Sequence, residues 1–338
     1  MSSMLPAAQP AGLMASSMPA FDTGPLTAVG VLPRRIGASD LRVHPVALGG
    51  NVFGWSVDDA HSRRILDAFV DGGGTLVDTA DSYASGRSET MIGSWLAARG
   101  NRDRVVISTK IGKSADNPGL SAKAIVAAVD ASRERLRVDT IDLLFLHVDD
   151  VETPFEETLL AVDRLIRSGK VRYFGGSDHH GNRLIEARIA CAMMGVAPMV
   201  ALQNEYNLLR RETYEQELLP VAASLELGVM PRYALAHGFL SGKYRSRDDL
   251  RRALRGREFV SYFGKRGLRI LSVLEQVAEE QDVSMATIAV SWLLTRPNVV
   301  APVVSVTSVD QLREIVAAPM IGLTRQQVAS LDEVSAPK

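Results

Sequence analysis

The sequence of 338 residues predicts an α/β protein, a single (β/α)8 TIM barrel, on three observations. Short apolar runs rich in β-branched residues alternate with longer stretches of helical period, about eight times from Val46 onward. Polar residues close several of those runs, at the strand ends that face the mouth of a barrel. The segment GGNVFG at Gly49 to Gly54 has the wrong spacing for the glycine fingerprint that an open dinucleotide-binding sheet carries after its first strand.

Taken in order, residues 1–30 read as a disordered extension. Met1 to Phe21 carries no charge, and Pro6, Pro10 and Pro19 interrupt the unbroken apolar core that a secretory signal needs. Residues 31–338 are left for the barrel domain. Its strands are predicted at Val46–Leu48, Thr75–Asp78, Arg104–Lys110, Ile141–His147, Val171–Ser177, Met199–Asn204, Gly228–Tyr233 and Val299–Val304. Each is short and apolar, as strands covered on both faces are. One helix is predicted over Ala122–Arg137, with Ile125, Val129 and Leu136 on a single stripe. Another is predicted over Pro154–Ser168, capped by Thr153, with Glu156 and Glu157 in its first turn and Gly169 closing it. Strand and helix in alternation imply right-handed crossovers and a parallel sheet.

Composition narrows the partners. With 38 basic and 39 acidic residues the net charge is −1, so no overall field gathers nucleic acid or an anionic membrane. The uncharged stretch Ile189 to Asn204 is too short for a membrane span of about 20 residues and contains Gly195 and Pro198. The single cysteine, Cys191, excludes an internal disulfide framework and a cysteine-based zinc site, fits a reducing, cytoplasmic compartment, and reads as a small core residue. No metal set is predicted, and a homo-oligomer is compatible with the composition.

The strand ends carry Asp78 (LVDTADSY), Lys110 (VVISTK), His147 (LLFLH), Ser177 and Asp178 (GGSDHH), and Gln203 and Asn204 (VALQNEY), with Tyr83 five residues after Asp78. An ionisable group closing an apolar strand is costly to bury without a partner, so these groups are predicted to meet at the mouth. Singly, Asp78 reads as a turn cap and Lys110 as a surface lysine; three such ends in succession with a tyrosine between them do not. A lysine ammonium within about 4–6 Å of a phenol stabilises its phenolate and lowers a solution pKa near 10 by ~2–3 units. An aspartate keeps that lysine charged and aimed, and the histidine donates to an oxygen held beside the tyrosine. Such a set protonates a carbonyl oxygen that is gaining negative charge. No side chain supplies a hydride, so a cofactor is required.

Over Leu32 to Val334 the chain resembles the aldo-keto reductases. The matching motifs, in order, are RRIGASDLRVHPVALGGNVFG, DTADSY with GRSETMIGSWL, VVISTKIGK, DLLFLH, VRYFGGSD, ALQNEYNLL, GFLSGKY and TSVDQLREI. The resemblance implies a β-hairpin over the barrel floor, around Arg34 to Val43. It implies a catalytic tetrad at Asp78, Tyr83, Lys110 and His147, with the tyrosine as general acid and base. It also implies a nicotinamide cofactor extended across the mouth, NADPH by family default or NADH. The carboxamide falls to Ser177, Asp178 and Gln203, with further cofactor contacts at Gly50, Asn51, Leu235, Gly238, Leu240 and Lys243.

Three departures from the family pattern stand out. Asp178 replaces the usual asparagine, and a carboxylate accepts from the amide but does not donate to it. Arg232, in RYALAHG, takes the place of the aromatic that stacks on the nicotinamide; a guanidinium plane also stacks, but repels the oxidised ring. Ile315 stands where an asparagine usually holds adenine, leaving Thr307, Ser308 and Gln311 as donors around the adenosine phosphate. Between Gly242 and Gly267 nine basic residues face three acidic ones, in a loop that in the family closes over the cofactor; they suggest a phosphate- or carboxylate-bearing substrate.

Phe53 and Trp55, beyond the first strand, and His179 and His237, in later loops, are predicted to line the substrate pocket. His44 and His61 are expected to be exposed. The function these residues imply is NAD(P)H-dependent reduction of an aldehyde or ketone, a sugar or keto-sugar among the candidates, with Tyr83 as proton donor. A redox-neutral sugar epimerase or an aldose dehydrogenase would use the same residues. A non-catalytic, cofactor-sensing binding subunit would tolerate loss of the tetrad, which is complete here.

Overall fold

Runs such as Ile141–Leu146, apolar at every position but Asp142 and buried throughout, have no wet face and need cover on both sides. The computed structural model describes residues 31–244, 249 and 262–337, and supplies that cover. Residues 1–30 and the arginines 245, 247, 251, 252, 255 and 257 of the basic loop lie outside the described residues. Eight parallel strands lie in the order β10-β3-β4-β5-β6-β7-β8-β9. They are β3 (Ala47–Gly49), β4 (Leu76–Asp78), β5 (Val106–Ile111), β6 (Ile141–Leu146), β7 (Val171–Ser177), β8 (Ala201–Gln203), β9 (Gly228–Val229) and β10 (Val303–Val304). The sheet closes on itself: the amides of Val300 and Val303 donate to the carbonyls of Val229 and Pro231, each at 2.8 Å. This is the predicted barrel. Its last two strands are shorter than expected because the flanking residues pair only through isolated bridges, Glu205 with Arg232 and Val229 with Val299.

The crossovers are α1 (Asp59–Asp71), α2 (Arg87–Arg99), α3 (Ala122–Leu136), α4 (Phe155–Arg167), α5 (Gly181–Met194) and α6 (Leu219–Ser224). Helices α7 (Lys265–Glu280) and α8 (Met285–Leu294) precede β10, and α9 (Val309–Val316) and α10 (Arg325–Ser335) follow it. Half of these ten helices start on a capping oxygen: Asp58, Ser121, Ser284, Ser308 and Thr324 each accept from a first-turn amide. Helix α4 differs from the prediction. Pro154 is its N-cap, and the Thr153 hydroxyl instead donates to Asp150 at 2.8 Å. No helix among the described residues is long and apolar enough to cross a membrane.

Apolar side chains fall into two clusters, a large one between sheet and helices and a smaller one at the barrel floor. The floor is plugged by the predicted hairpin, β1 (Arg34–Arg35) against β2 (Arg42–Val43). Its Ile36, Leu41 and Val43 pack onto Leu76, Leu143, Phe145 and Met230, each contributing about 1.5–3 kcal/mol if fully buried. Polar clasps hold its rim: Arg34 donates to the Val299 carbonyl at 2.8 Å, and Arg172 bridges Asp40 (2.9 Å) to buried Asp142 (3.1 Å). His44, expected at the surface, is buried, because the chain turns inward there and its ring accepts from the Val46 amide. His61 is exposed as expected.

The hairpin turn depends on Gly37, whose φ is +50° and whose hypothetical Cβ would lie 2.1 Å from the Val200 carbonyl oxygen. Gly37→Ala combines left-handed backbone strain with overlap on that carbonyl. A loss of about 2–4 kcal/mol is expected, seen as a lower thermal midpoint; an unchanged midpoint would show that the hairpin does not seal the floor.

Candidate active site

Strand register assembles the mouth. Asp78 pairs with Ser108 across β4 and β5, and Lys110, two residues on, points to the same side of the sheet. Both meet the same carboxylate: one Asp78 oxygen accepts from the Lys110 ammonium at 2.5 Å, and the other accepts from Ser108 (2.8 Å) and Gln203 (3.1 Å). Lys110 and Asp78 are 0% and 1% exposed. The ammonium donates to Asp78 and to the Thr79 carbonyl, the latter at 2.9 Å, and the Tyr83 phenol acts on its charge. It lies 5.1 Å from the centre of the Tyr83 ring. His147, directly after β6, meets that ring edge-on, with centroids 6.1 Å apart. The four side chains singled out from sequence therefore stand together.

Their charge states follow from burial. Burial alone disfavours the Lys110 ammonium most strongly, yet Asp78 and Tyr83 together hold its pKa above the usual lysine value. Burial pushes the Tyr83 phenol up, against the opposing charge of Lys110. This reverses the direction predicted from the lysine alone, and it leaves the resting phenol protonated. His147 is pushed down to about 2, first by burial and then by the charges of Lys110, Lys113 and Arg232. Its imidazole is neutral, and Nδ1 is buried without a hydrogen-bond partner.

The residues assigned to the cofactor divide. Ser177 is fully buried and its hydroxyl has no partner, and the side-chain oxygen of Asn51, an acceptor, is likewise buried and unpartnered. Gln203 is tied to Asp78 through its amide nitrogen. Gly50 donates to the Asp78 carbonyl at 2.7 Å, and a Cβ there would lie 2.8 Å from the Ser88 hydroxyl, so packing alone accounts for the glycine. Leu240 is wholly buried in the core and offers no surface to a cofactor. Leu235, Gly238 and Lys243 remain on the half-exposed loop after β9, where His237 and Gly238 take φ of 56° and 93°. Ser308 caps α9 and Thr307 donates to Gln311 from its amide at 2.9 Å, so all three surround one helix start.

The substrate assignments divide as well. Phe53 is 0% exposed and His179 1%, the latter with Nδ1 at 2.9 Å from the Ser177 carbonyl and its ring on Phe155. Neither reaches the mouth surface: the loops after β3 and β7 fold inward over the core at these positions. Trp55 is 52% exposed, and His237 is half-buried with its ring 4.1 Å from Tyr233.

Sequence reasoning missed two mouth residues. Lys113, just past β5, donates to Asp178 at 3.3 Å. Asp81, inside DTADSY, is 2% exposed and near the Gly112 and Ser82 amides, but neither of its oxygens makes a well-aligned hydrogen bond. Burial and the neighbouring Glu89 push its pKa up to about 6. The one available signal was a second acidic residue, three positions after Asp78 and two before Tyr83. Among the described residues no group of three His, Cys, Asp or Glu is placed to hold a metal ion.

Sequence comparison agrees with this geometry. The profile of the Aldo/keto reductase family matches residues 45–336. The chain belongs to the aldo/keto reductase family and is an oxidoreductase by class. It is 31% identical over 312 residues, 88% of this chain and 94% of the relative, to an uncharacterized oxidoreductase, YrpG, of Bacillus subtilis. It is 33% identical to a probable voltage-gated potassium channel subunit beta of Arabidopsis thaliana, over 83% of this chain and 89% of that one. It is 30% identical to the norsolorinic acid reductase of Aspergillus flavus, over 88% and 79%.

Two pH tests follow. With His147 held near 2, the rate profile carries no limb at the usual histidine pKa; an inflection near pH 6.5 that vanishes in His147→Gln would contradict a neutral imidazole. Asp81 is raised from 3.8 to about 6, so its contribution to stability is full below the unfolded value and is lost as pH rises through 6. The charged form then disfavours the fold by about 3 kcal/mol. Asp81→Asn should accordingly stabilise the protein more at pH 8 than at pH 5, by roughly 1 kcal/mol in urea titrations. A gain independent of pH would place the charge elsewhere.

Proposed function

We propose that the chain reduces an aldehyde or ketone to the alcohol with a nicotinamide cofactor, NADPH or NADH, using Tyr83 as proton donor. One observation carries the reading: a phenol held protonated by burial sits on a wholly buried ammonium and beside a neutral imidazole. A substrate carbonyl oxygen placed there accepts from the Tyr83 hydroxyl and from a His147 N–H. As negative charge grows on that oxygen, the proton passes from Tyr83, and the phenolate left behind is stabilised by Lys110, whose charge Asp78 maintains. A dihydronicotinamide, when bound, supplies the hydride for the carbonyl carbon. The unpartnered Ser177 hydroxyl and Asn51 oxygen suit its amide-bearing ring and its polar linker, and Gln203 stands beside them.

The potassium-channel relative supports a second reading, a binding subunit that senses the cofactor. Four side chains held in working geometry support turnover over that reading. An epimerase or aldose dehydrogenase is separated from a reductase by whether cofactor is released and which direction runs.

The deciding experiment is a panel of neutral, phosphorylated and carboxylate-bearing carbonyls and alcohols with each nicotinamide nucleotide, followed by reduced-nicotinamide absorbance. Tyr83→Phe is expected to lower kcat by about 10²–10⁴ while nucleotide affinity stays within about threefold. Wild-type turnover in that variant would remove Tyr83 from its role, and inactivity of the wild-type chain across the panel would favour the binding subunit.

A further inference from the structure

Asp178 and Arg232, read separately as departures from the family pattern, are partners. They lie 54 residues apart, at the ends of β7 and β9, and two guanidinium nitrogens of Arg232 donate to one Asp178 oxygen at 2.6 and 3.0 Å. The other Asp178 oxygen accepts from Lys113. The loop that presents the carboxylate is itself fixed: Asp178 has a φ of 58°, and Asn204 accepts from its amide (3.1 Å) and donates to the His179 carbonyl (3.2 Å). One face of the guanidinium lies on the Tyr233 ring, 4.4 Å from its centre. Arg232 is thus a flat cation gripped on its edge and on one face, with its side chain 24% exposed. Arg232 bridges Glu205 just beyond β8, so it stands at the same end of the sheet as Ser177 and Gln203, which pair across β7 and β8. Two cations share Asp178, and Glu205 is the weakest of the charges acting on Arg232.

We propose that Arg232, held flat by Asp178, makes this site select the reduced over the oxidised nicotinamide. The inference rests on the reductase reading above. In this proposal a ring able to reach a carbonyl held at Tyr83 and His147 lies between Ser177 and Arg232, the partner of the next residue, Asp178. There it meets the remaining face of the guanidinium. A neutral dihydronicotinamide stacks on that face, whereas the cationic oxidised ring is repelled by it. Asp178 does not serve the carboxamide; it is a positioning residue for Arg232.

Calorimetric titration of the purified full chain with NADPH, NADP+, NADH and NAD+ tests this without turnover. The dissociation constant of the oxidised form is expected to exceed that of the reduced form by at least about tenfold. Arg232→Gln brings the ratio within about threefold of unity, and Arg232→Lys, which keeps charge but loses the flat fork, falls between. Asp178→Asn changes the ratio in the Arg232 protein and leaves it unchanged in the Arg232→Gln background. Equal affinity for both forms in the wild type, or a ratio that survives Arg232→Gln in a variant with an unaltered circular dichroism spectrum, overturns the proposal. So does an equal Asp178→Asn effect in both backgrounds. If no nicotinamide nucleotide binds, the reductase reading fails and this inference fails with it.

Discussion

The ion pair between Asp78 and Lys110 is the contact on which the mouth depends. An ammonium with no exposed surface persists only if acceptors replace its water, and here Asp78 and the Thr79 carbonyl take its hydrogens while the Tyr83 ring lies 5.1 Å away. Removing one member of a buried pair leaves an uncompensated charge and typically costs about 3–5 kcal/mol. The pair in turn depends on register: Asp78 faces Ser108, so Lys110 falls on the same side two residues later. A slip of one residue would turn the lysine toward the helices. Chemistry and sheet geometry are therefore fixed by the same hydrogen bonds.

The cylinder divides its inner volume by polarity. At the floor, Ile36, Leu41 and Val43 of the hairpin join strand residues in a dry plug. At the mouth, Asp78 ties Lys110, Ser108 and Gln203 together, and Asp178 ties Lys113 to Arg232. Burial acts differently on each ionisable group there: it keeps Tyr83 protonated and His147 neutral, while Lys110 stays charged because its partners outweigh the loss of water. A protonated phenol, a neutral imidazole and a cation thus stand together in a buried setting.

Much of this was legible in the sequence, for identifiable reasons. Strands β6 and β7 are the long, mostly buried runs, and their predicted limits match to within a residue. The tetrad was legible because each member ends or follows such a run. Strands β9 and β10 were overextended because β-branched residues also suit the bridging loops that close the barrel. Phe53 and His179 were misplaced because a loop after a strand can turn toward the core as readily as toward the mouth, and periodicity carries no sign of which. Thr153 was taken for a cap one residue early because Asp150, a better acceptor, claims its hydroxyl. The Asp178–Arg232 contact joins distant segments, and one sequence without relatives aligned to it offers no local mark of such a pair.

The seam of the cylinder has a mechanical consequence. Strands β9 and β10 contribute two residues each, and a handful of backbone bonds holds the wall shut there, whereas β7 alone runs for seven. Fewer ladder bonds close that flank, so its amides are expected to exchange with deuterated water sooner than those of β5 to β7. Arg232 stands on that flank, immediately beyond β9, and its grip on Asp178 reaches across β8 to the firmer side. The latch that holds the guanidinium flat thus also ties the short strand β9 to the longer β7.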